Sequence, residues 1–252
     1  MGALHAGHLS LVQNALEGSD IVVASIFVNP TQFNDASDLE HYPRQEAQDL
    51  ELLRAEGCHA VLVPSVEEMY PHGTDHNPTN YHFGALETVM EGGKRPGHFE
   101  GVARIVTRLF EIVQPDSAYF GDKDFQQLAI IREMNEQASL GIHIVGCPIV
   151  READGLAMSS RNQLLTDEER AASTFLYQCL LQAKKWSGSL SIEEVKHLLQ
   201  AAFVEHELFT LDYFEFVDAR TLPINAATQA RTSGASSHSP TGCKVRASTN
   251  SK

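Results

Sequence analysis

Along roughly the first 150 residues, short apolar runs alternate with segments whose apolar residues recur at helical spacing. Leu9, Val12, Ala15 and Leu16 fall on one helical stripe, and Gly18 supplies a stop. IVVASIFV (Ile21 to Val28) is a continuous apolar run, as in a strand covered on both faces. Glu46 to Glu56 predicts a helix closed by Gly57, and HAVLV (His59 to Val63) a second buried strand. Tyr70 to Gly97 is rich in Gly, Pro, His and Asn and predicts a long surface excursion with a short helix near Ala85 to Glu91. Gly101 to Val113 carries Val102, Ile105, Val106, Leu109, Phe110 and Val113 on one stripe. SAYFG then predicts a strand and turn, Phe125 to Ser139 a helix and IHIVGCPIV a strand. This alternation predicts an α/β fold with a parallel sheet and crossover helices.

The pattern changes after about Val150. Asp167 to Trp186 and Ser191 to Glu207 predict helices and LDYFEFV a strand, so residues 151–229 form a smaller α+β domain behind a first domain at 1–150. Two edges depart from a doubly wound sheet. Such a sheet opens with a strand whose following turn delivers the ligand loop, yet here Met1 enters directly on the turn. Residues 230–252 are Ser, Thr, Gly and basic residues without an acid, a composition that predicts a disordered, aberrant tail. The first strand and the final strands are therefore expected to be missing. A chain with those losses is expected to be marginally stable and weakly active.

Composition narrows the function. The net charge of −14 argues against sequence-independent nucleic-acid binding, which needs clustered Lys and Arg. No apolar run reaches the roughly 20 residues that span a bilayer, and no signal segment opens the chain, so a cytoplasmic protein with no membrane partner is expected. The four cysteines form no CxxC pair and sit at no metal-ligand spacing with a histidine, so no metal site is expected.

Three stretches could carry chemistry. MGALHAGH places His5 and His8 on a glycine turn at a helix start, where unpaired N–H groups attract phosphate. GDKDFQQL puts Lys123 where a strand meets a helix, with Gln127 in the first helical turn. DGLAMSSRNQLL combines Ser159, Ser160 and Arg161, a set suited to polyphosphate. Two further stretches add polar groups: SIFVNPTQF offers Asn29, Gln32 and Phe33, and EGGKRPGHF offers Lys94, Arg95 and His98. Taken singly, each stretch also fits an ordinary loop or a capped helix.

Together MGALHAGHLSLV, SIFVNPTQF, YPR, RPGHFEGV, PDSAYFGDKDFQQL and READGLAMSSRN resemble the pantoate–β-alanine ligases, in order, over Met1 to Pro223. HAGH is similar to the HIGH-type turn of nucleotidyltransferases and MSSR to their KMSKS-type loop. The resemblance implies a Rossmann-like nucleotidyltransferase domain that binds ATP and pantoate, and a small C-terminal lid. It implies condensation of pantoate and β-alanine through pantoyl adenylate, with ATP as substrate, Mg²⁺ held mainly by its phosphates, and a homodimer. It assigns catalysis to His8, His5 and Lys123. It lines the ATP site with Met1, Gly2, Ala3, Leu4, His5, Ala6, Gly7, His8, Gly121, Asp122, Lys123, Asp124, Val150, Met158, Ser159, Ser160 and Arg161, and gives pantoate to Gln32 and Gln127. The alternatives are a truncated nucleotide-binding module of this family without turnover, and a different nucleotidyltransferase.

Overall fold

The computed structural model describes residues 1–32, 36–74, 80–217 and 242–249, with residues 36–38 and 242–249 by backbone alone. The chain divides into two compact units, Met1–Arg151 with Ala157–Gln163, and Glu152–Leu156 with Leu164–Lys252. The boundary differs from the expected break after residue 150, because the Ala157–Gln163 segment returns to the first unit. An antiparallel bridge between Arg151 and Ala157, and a bond from Met158 N to the Val150 carbonyl (3.0 Å), turn the chain back.

The first unit runs α1 (Ala6–Gly18), β1 (Val23–Ser25), α2 (Ala36–His41), α3 (Glu46–Ala55), β2 (Ala60–Leu62), α4 (Val66–Met69), α5 (Ala85–Thr88), α6 (Met90–Lys94), α7 (His98–Val113), β3 (Ser117–Gly121), α8 (Phe125–Gln137) and β4 (His143–Cys147). β1 pairs in parallel with β2, from Val23 opposite Ala60 to Ser25 opposite Leu62. β3 pairs in parallel with β4, from Ser117 opposite His143 to Gly121 opposite Cys147. The fold is thus mainly α/β with parallel strands. Leu4, Val12, Ala15, Val22, Ile26 and Leu53 form one apolar cluster under the N-terminal turn. Phe99, Val102, Ile105, Ile130, Ile131 and Met134 form another between α7 and α8.

The second unit holds α9 (Asp167–Ala172), α10 (Thr174–Trp186), α11 (Ile192–Val204), β5 (Phe209–Val217) and β6 (Gly242–Thr249). Its core is built from Val195, Leu199, Phe203, Phe214 and Phe216. No helix among the described residues is long and apolar enough to cross a membrane.

Several boundaries moved for local reasons. α1 starts at Ala6 rather than Leu9, because the His5 side chain caps it. The expected helix from Ala85 to Glu91 is two helices broken at Val89. The buried Gln126 amide donates to the carbonyls of Leu86 (2.7 Å) and Val89 (2.8 Å) and accepts from Glu91 N (3.1 Å), which holds the break. The expected helix from Asp167 to Trp186 divides at Ser173, whose hydroxyl donates back to the Arg170 carbonyl at 2.7 Å.

The expected missing strands are not confirmed. Met1 takes a strand-like place beside β1, its nitrogen donating to the Ser25 carbonyl (2.9 Å) and its carbonyl accepting from Phe27 N (3.0 Å). In the tail, Gly242–Thr249 forms β6, antiparallel to β5 from Phe209 opposite Thr249 to Val217 opposite Gly242. Bulk composition hides the reason. Cys243, Val245, Ala247 and Thr249 alternate with Lys244, Arg246 and Ser248, a strand period. The remaining residues of 230–252 lie outside those described.

Gly101 joins α7 to the Pro30–Gln32 turn. A Cβ built there would stand 2.5 Å from the Thr31 carbonyl oxygen, a backbone atom with little room to give. Gly101→Ala is therefore expected to destabilise the chain by roughly 1–3 kcal/mol, read as a lower urea midpoint with unchanged slope. An unchanged midpoint would show that the turn yields freely.

Candidate active site

The N-terminal turn is held from two remote places. Ala3 is fully buried and left-handed, with φ of +49°. Its N–H and that of Leu4 donate to the two carboxylate oxygens of Asp49 on α3, at 2.8 and 2.7 Å. Its carbonyl accepts the Ser160 hydroxyl at 2.9 Å, and the Gly2 carbonyl lies 3.4 Å from the same hydroxyl. Ser160 is buried, so this hydroxyl serves the turn. Beside it, a Cβ on Gly7 would meet the His5 ring at 2.9 Å and Met158 Cβ at 3.5 Å. Only glycine leaves the imidazole room to fold over the helix start. The HAGH and MSSR segments are therefore in contact within one unit.

His5 Nδ1 accepts from Gly7 N at 3.1 Å, which places the ring proton of the neutral tautomer on Nε2. The His5 and His8 rings lie 4.0 Å apart between centroids. Burial pushes His8 down to about 3, helped by the positive charges of His5, the Met1 amine and Lys123 and opposed by Asp124. At neutral pH His8 is an uncharged imidazole. Its Nδ1 is buried and makes no hydrogen bond among the described residues. Such an atom costs about 1–3 kcal/mol when left dry and invites a polar partner.

Lys123 sits on a 3₁₀ turn, Asp122–Asp124, between β3 and α8. Its ammonium is 3.4 Å from Asp124, with side chains 39% and 55% exposed, so the pair is solvated and contributes little to stability. A Cβ on Gly121 would meet nothing within 4 Å, so the strand end opens onto free space. Burial raises the Asp122 carboxyl, with Arg132 pulling it back. Gln127 is half-buried and its amide bonds to nothing among the described residues, whereas neighbouring Gln126 is fully used.

The Asn29–Gln32 turn repeats that division of labour. Asn29 is 3% exposed: its amide oxygen accepts from the Tyr70 hydroxyl (2.6 Å) and Thr31 N and Oγ1, and its nitrogen donates to the Gly101 carbonyl. It organises the turn rather than offering its amide to a ligand. The Gln32 carbonyl accepts from Arg95 Nη2 and His98 Nδ1, both at 2.9 Å, and its side-chain amide bonds to nothing among the described residues. Burial lowers the His98 pKa, with Gln32 opposing, and the Asp124 charge acts on His98 as it does on His8. His8, His98, Lys123 and Asp124 thus share one electrostatic neighbourhood. Phe33 lies outside the described residues.

Of the remaining expected residues, Val150 bonds Met158 through its carbonyl, and Ser159 Oγ accepts from Arg161 N at 3.3 Å. The Arg161 guanidinium stands over the Tyr42 ring, 5.3 Å from its centroid, which ties the YPR segment to MSSR. Asp49 was not among the sequence candidates. The signal for it is an acid on the α3 stripe that also carries Leu53, where an apolar residue belongs. Among the described residues, no group of three or more His, Cys, Asp or Glu could hold a metal ion. The second unit carries a cavity of about 470 Å³ lined by Leu190, Glu193, Glu194, His197 and Leu198, which holds none of the motif residues.

A family model described as Pantoate-beta-alanine ligase matches residues 1–243. The pantothenate synthetase of Bacteroides thetaiotaomicron is 50% identical over 222 residues, which is 88% of this chain and 78% of that protein. That of Phocaeicola vulgatus is 51% identical over 223 residues, with the same shares. The crystal structure of pantothenate synthetase from Thermus thermophilus matches with a TM-score of 0.83 at 43% identity, over 88% of this chain and 80% of that one. The pantoate-beta-alanine ligase of Francisella tularensis, complexed with beta-gamma ATP and β-alanine, matches with a TM-score of 0.75 at 33% identity, over 86% and 79%.

The His8 environment has a consequence for stability. Unfolded, a histidine takes up its proton near pH 6.5; folded, His8 resists protonation down to about 3. Stability is therefore fully present above 6.5 and is lost as pH falls from there towards 3, by at most about 1.4 kcal/mol per unit. Urea melts at pH 7.5 and 5.0 should show this loss, and His8→Gln should reduce it. Equal slopes in the two proteins would mean that His8 titrates freely.

Proposed function

The chain belongs to the pantoate–β-alanine ligase family, and we propose that it joins pantoate to β-alanine through a pantoyl adenylate formed at the N-terminal turn of its first unit. The observation that carries this reading is the bond of Ser160 in MSSR to Ala3 in the turn that leads into HAGH, with Met158 beside Gly7, under the charge of Lys123. In a family of this activity, such a contact is suited to a triphosphate.

In the first step a pantoate carboxylate oxygen bonds to the α-phosphorus of ATP, and the bond from that phosphorus to the bridging oxygen of pyrophosphate breaks. In the second, the β-alanine amine bonds to the acyl carbon, loses a proton, and AMP leaves. No protein nucleophile is needed, so positioning and charge stabilisation supply the rate. The α1 N-terminus receives phosphate oxygens through the Ala6 N–H and the positive end of the helix dipole, since the N–H groups of Gly7 and His8 are taken by the His5 side chain and carbonyl. His5 donates from Nε2. His8 stays neutral and hydrogen-bonds the charge that develops on the transferring phosphoryl group. Lys123, Ser159 and Arg161 contact the phosphates; Ser160 contributes through the turn it holds. Met1, Gly2, Ala3, Leu4, Gly121, Asp122, Val150 and Met158 line the nucleotide.

Gln32 and Gln127 bring uncommitted amides to pantoate, whose hydroxyls and carboxylate need both donors and acceptors. The donor set fits Mg²⁺ only as a companion of the phosphates, with Asp124 the carboxylate best placed to join them. The ion would neutralise phosphate charge there. A homodimer completes the proposal.

Pyrophosphate exchange into ATP should depend on pantoate, and AMP release should need both acids. Nucleotide binding without exchange would reduce the chain to a binding module. His8→Ala should lower the exchange rate by about 10²–10³ with the melting temperature little changed. A loss of only a few-fold would remove His8 from its role. Gln127→Ala should raise the pantoate KM by roughly tenfold and leave the ATP KM within about twofold. The reverse pattern would move Gln127 to the nucleotide.

A further inference from the structure

We infer that Asp49 is the positioning residue of the nucleotide turn, its buried carboxylate fixing the backbone that presents His5 and His8. The inference rests on the nucleotide site proposed above and deepens it.

Asp49 lies on the face of α3 that carries Leu53 and is 1% exposed. Burying a carboxylate is costly unless its oxygens are satisfied. Here both oxygens are committed to main-chain N–H groups 46 and 45 residues away, on Ala3 and Leu4. No Lys or Arg pairs with it among the described residues. An ionised carboxylate taking two adjacent N–H groups is a short, charge-assisted and directional fixing.

What it fixes is an unfavourable conformation. Ala3 holds φ of +49°, a region that a residue with a Cβ avoids. The N–H of this residue goes to Asp49 and its carbonyl accepts from Ser160, so side chains from two distant segments hold both of its polar groups. Two residues further on, His5 caps α1, and its ring lies tilted against that of His8, 4.0 Å between centroids. Should Ala3 relax to negative φ, the direction of the chain into His5 would change, and both imidazoles would lose their register with Lys123 and the helix N-terminus. A packing role alone would be met by an apolar side chain at position 49.

Asp49→Asn keeps the shape and removes one acceptor, turning an NH₂ towards one of the two N–H groups. The expected result is a loss of about tenfold or more in pantoate-dependent pyrophosphate exchange, the range for hydrogen bonds to charged groups, with the pantoate KM within about twofold of wild type. Adding Ala3→Gly to Asp49→Asn should restore at least roughly a third of the lost rate, because glycine holds positive φ without the carboxylate. A packing role predicts no such rescue.

A rate loss that merely tracks the unfolded fraction in a thermal melt, an equal rise in pantoate KM, or an absence of rescue would each overturn the inference. If Asp49→Asn alone is insoluble, recovery of a folded protein by the added Ala3→Gly supports it, and failure of both variants to fold assigns Asp49 to core stability instead. Wild-type protein is assayed in parallel. If it shows no pantoate-dependent exchange, the proposed function fails by itself, and the same variants are then ranked by calorimetric ATP affinity, where the same order of loss and rescue is expected.

Discussion

The arrangement of the first unit turns on the main-chain groups of Ala3. A buried peptide N–H or carbonyl must find a partner, and a left-handed alanine must be held there by something. Asp49 takes the N–H and Ser160 the carbonyl, and between them they join α3, the N-terminal turn and the segment returning from residue 157. The cap at His5, the helix that follows it and the adjacent pair of imidazoles all stand on that fixing. Gly7 and Met158 close the same contact from the other side.

A protein of net charge −14 is a poor host for a triphosphate if charge is averaged over its surface. The local picture is different. The helix start carries the positive end of the α1 dipole, Lys123 projects its charge onto His8, and Arg161 is steadied over Tyr42. Keeping the His8 imidazole neutral avoids a buried charge there while leaving an N–H donor in place, a preorganised dipole beside the Lys123 charge.

Polar side chains in this unit divide their work between adjacent positions. Gln126 spends its whole amide holding α5 and α6 apart, while the amide of Gln127 next to it makes no hydrogen bond among the described residues. Asn29 is consumed by Tyr70, Thr31 and Gly101, while Gln32 gives only its carbonyl to Arg95 and His98. In both places an amide spent on the backbone stands beside one with no hydrogen bond among the described residues, and the proposed pantoate contacts rely on that pairing.

Local pattern along the chain was enough to determine that strands and helices alternate, that α7 has a buried stripe, and that His5, His8 and Lys123 sit near element ends. These are local properties, set by spacing over one or two turns, and the ordered motifs added the family. Residues far apart in the chain decided the rest. That Asp49 is spent on residues 3 and 4, and Ser160 on residue 3, depends on contacts spanning 46 and 157 positions, which no local pattern encodes. The break at Val89 likewise follows from a hydrogen bond across 37 positions, whereas the break at Ser173 is local, set by its hydroxyl bonding back to Arg170 within one turn. β6 shows the limit of composition: its alternation is written in the tail, but a strand exists there only because β5 offers an edge to pair with.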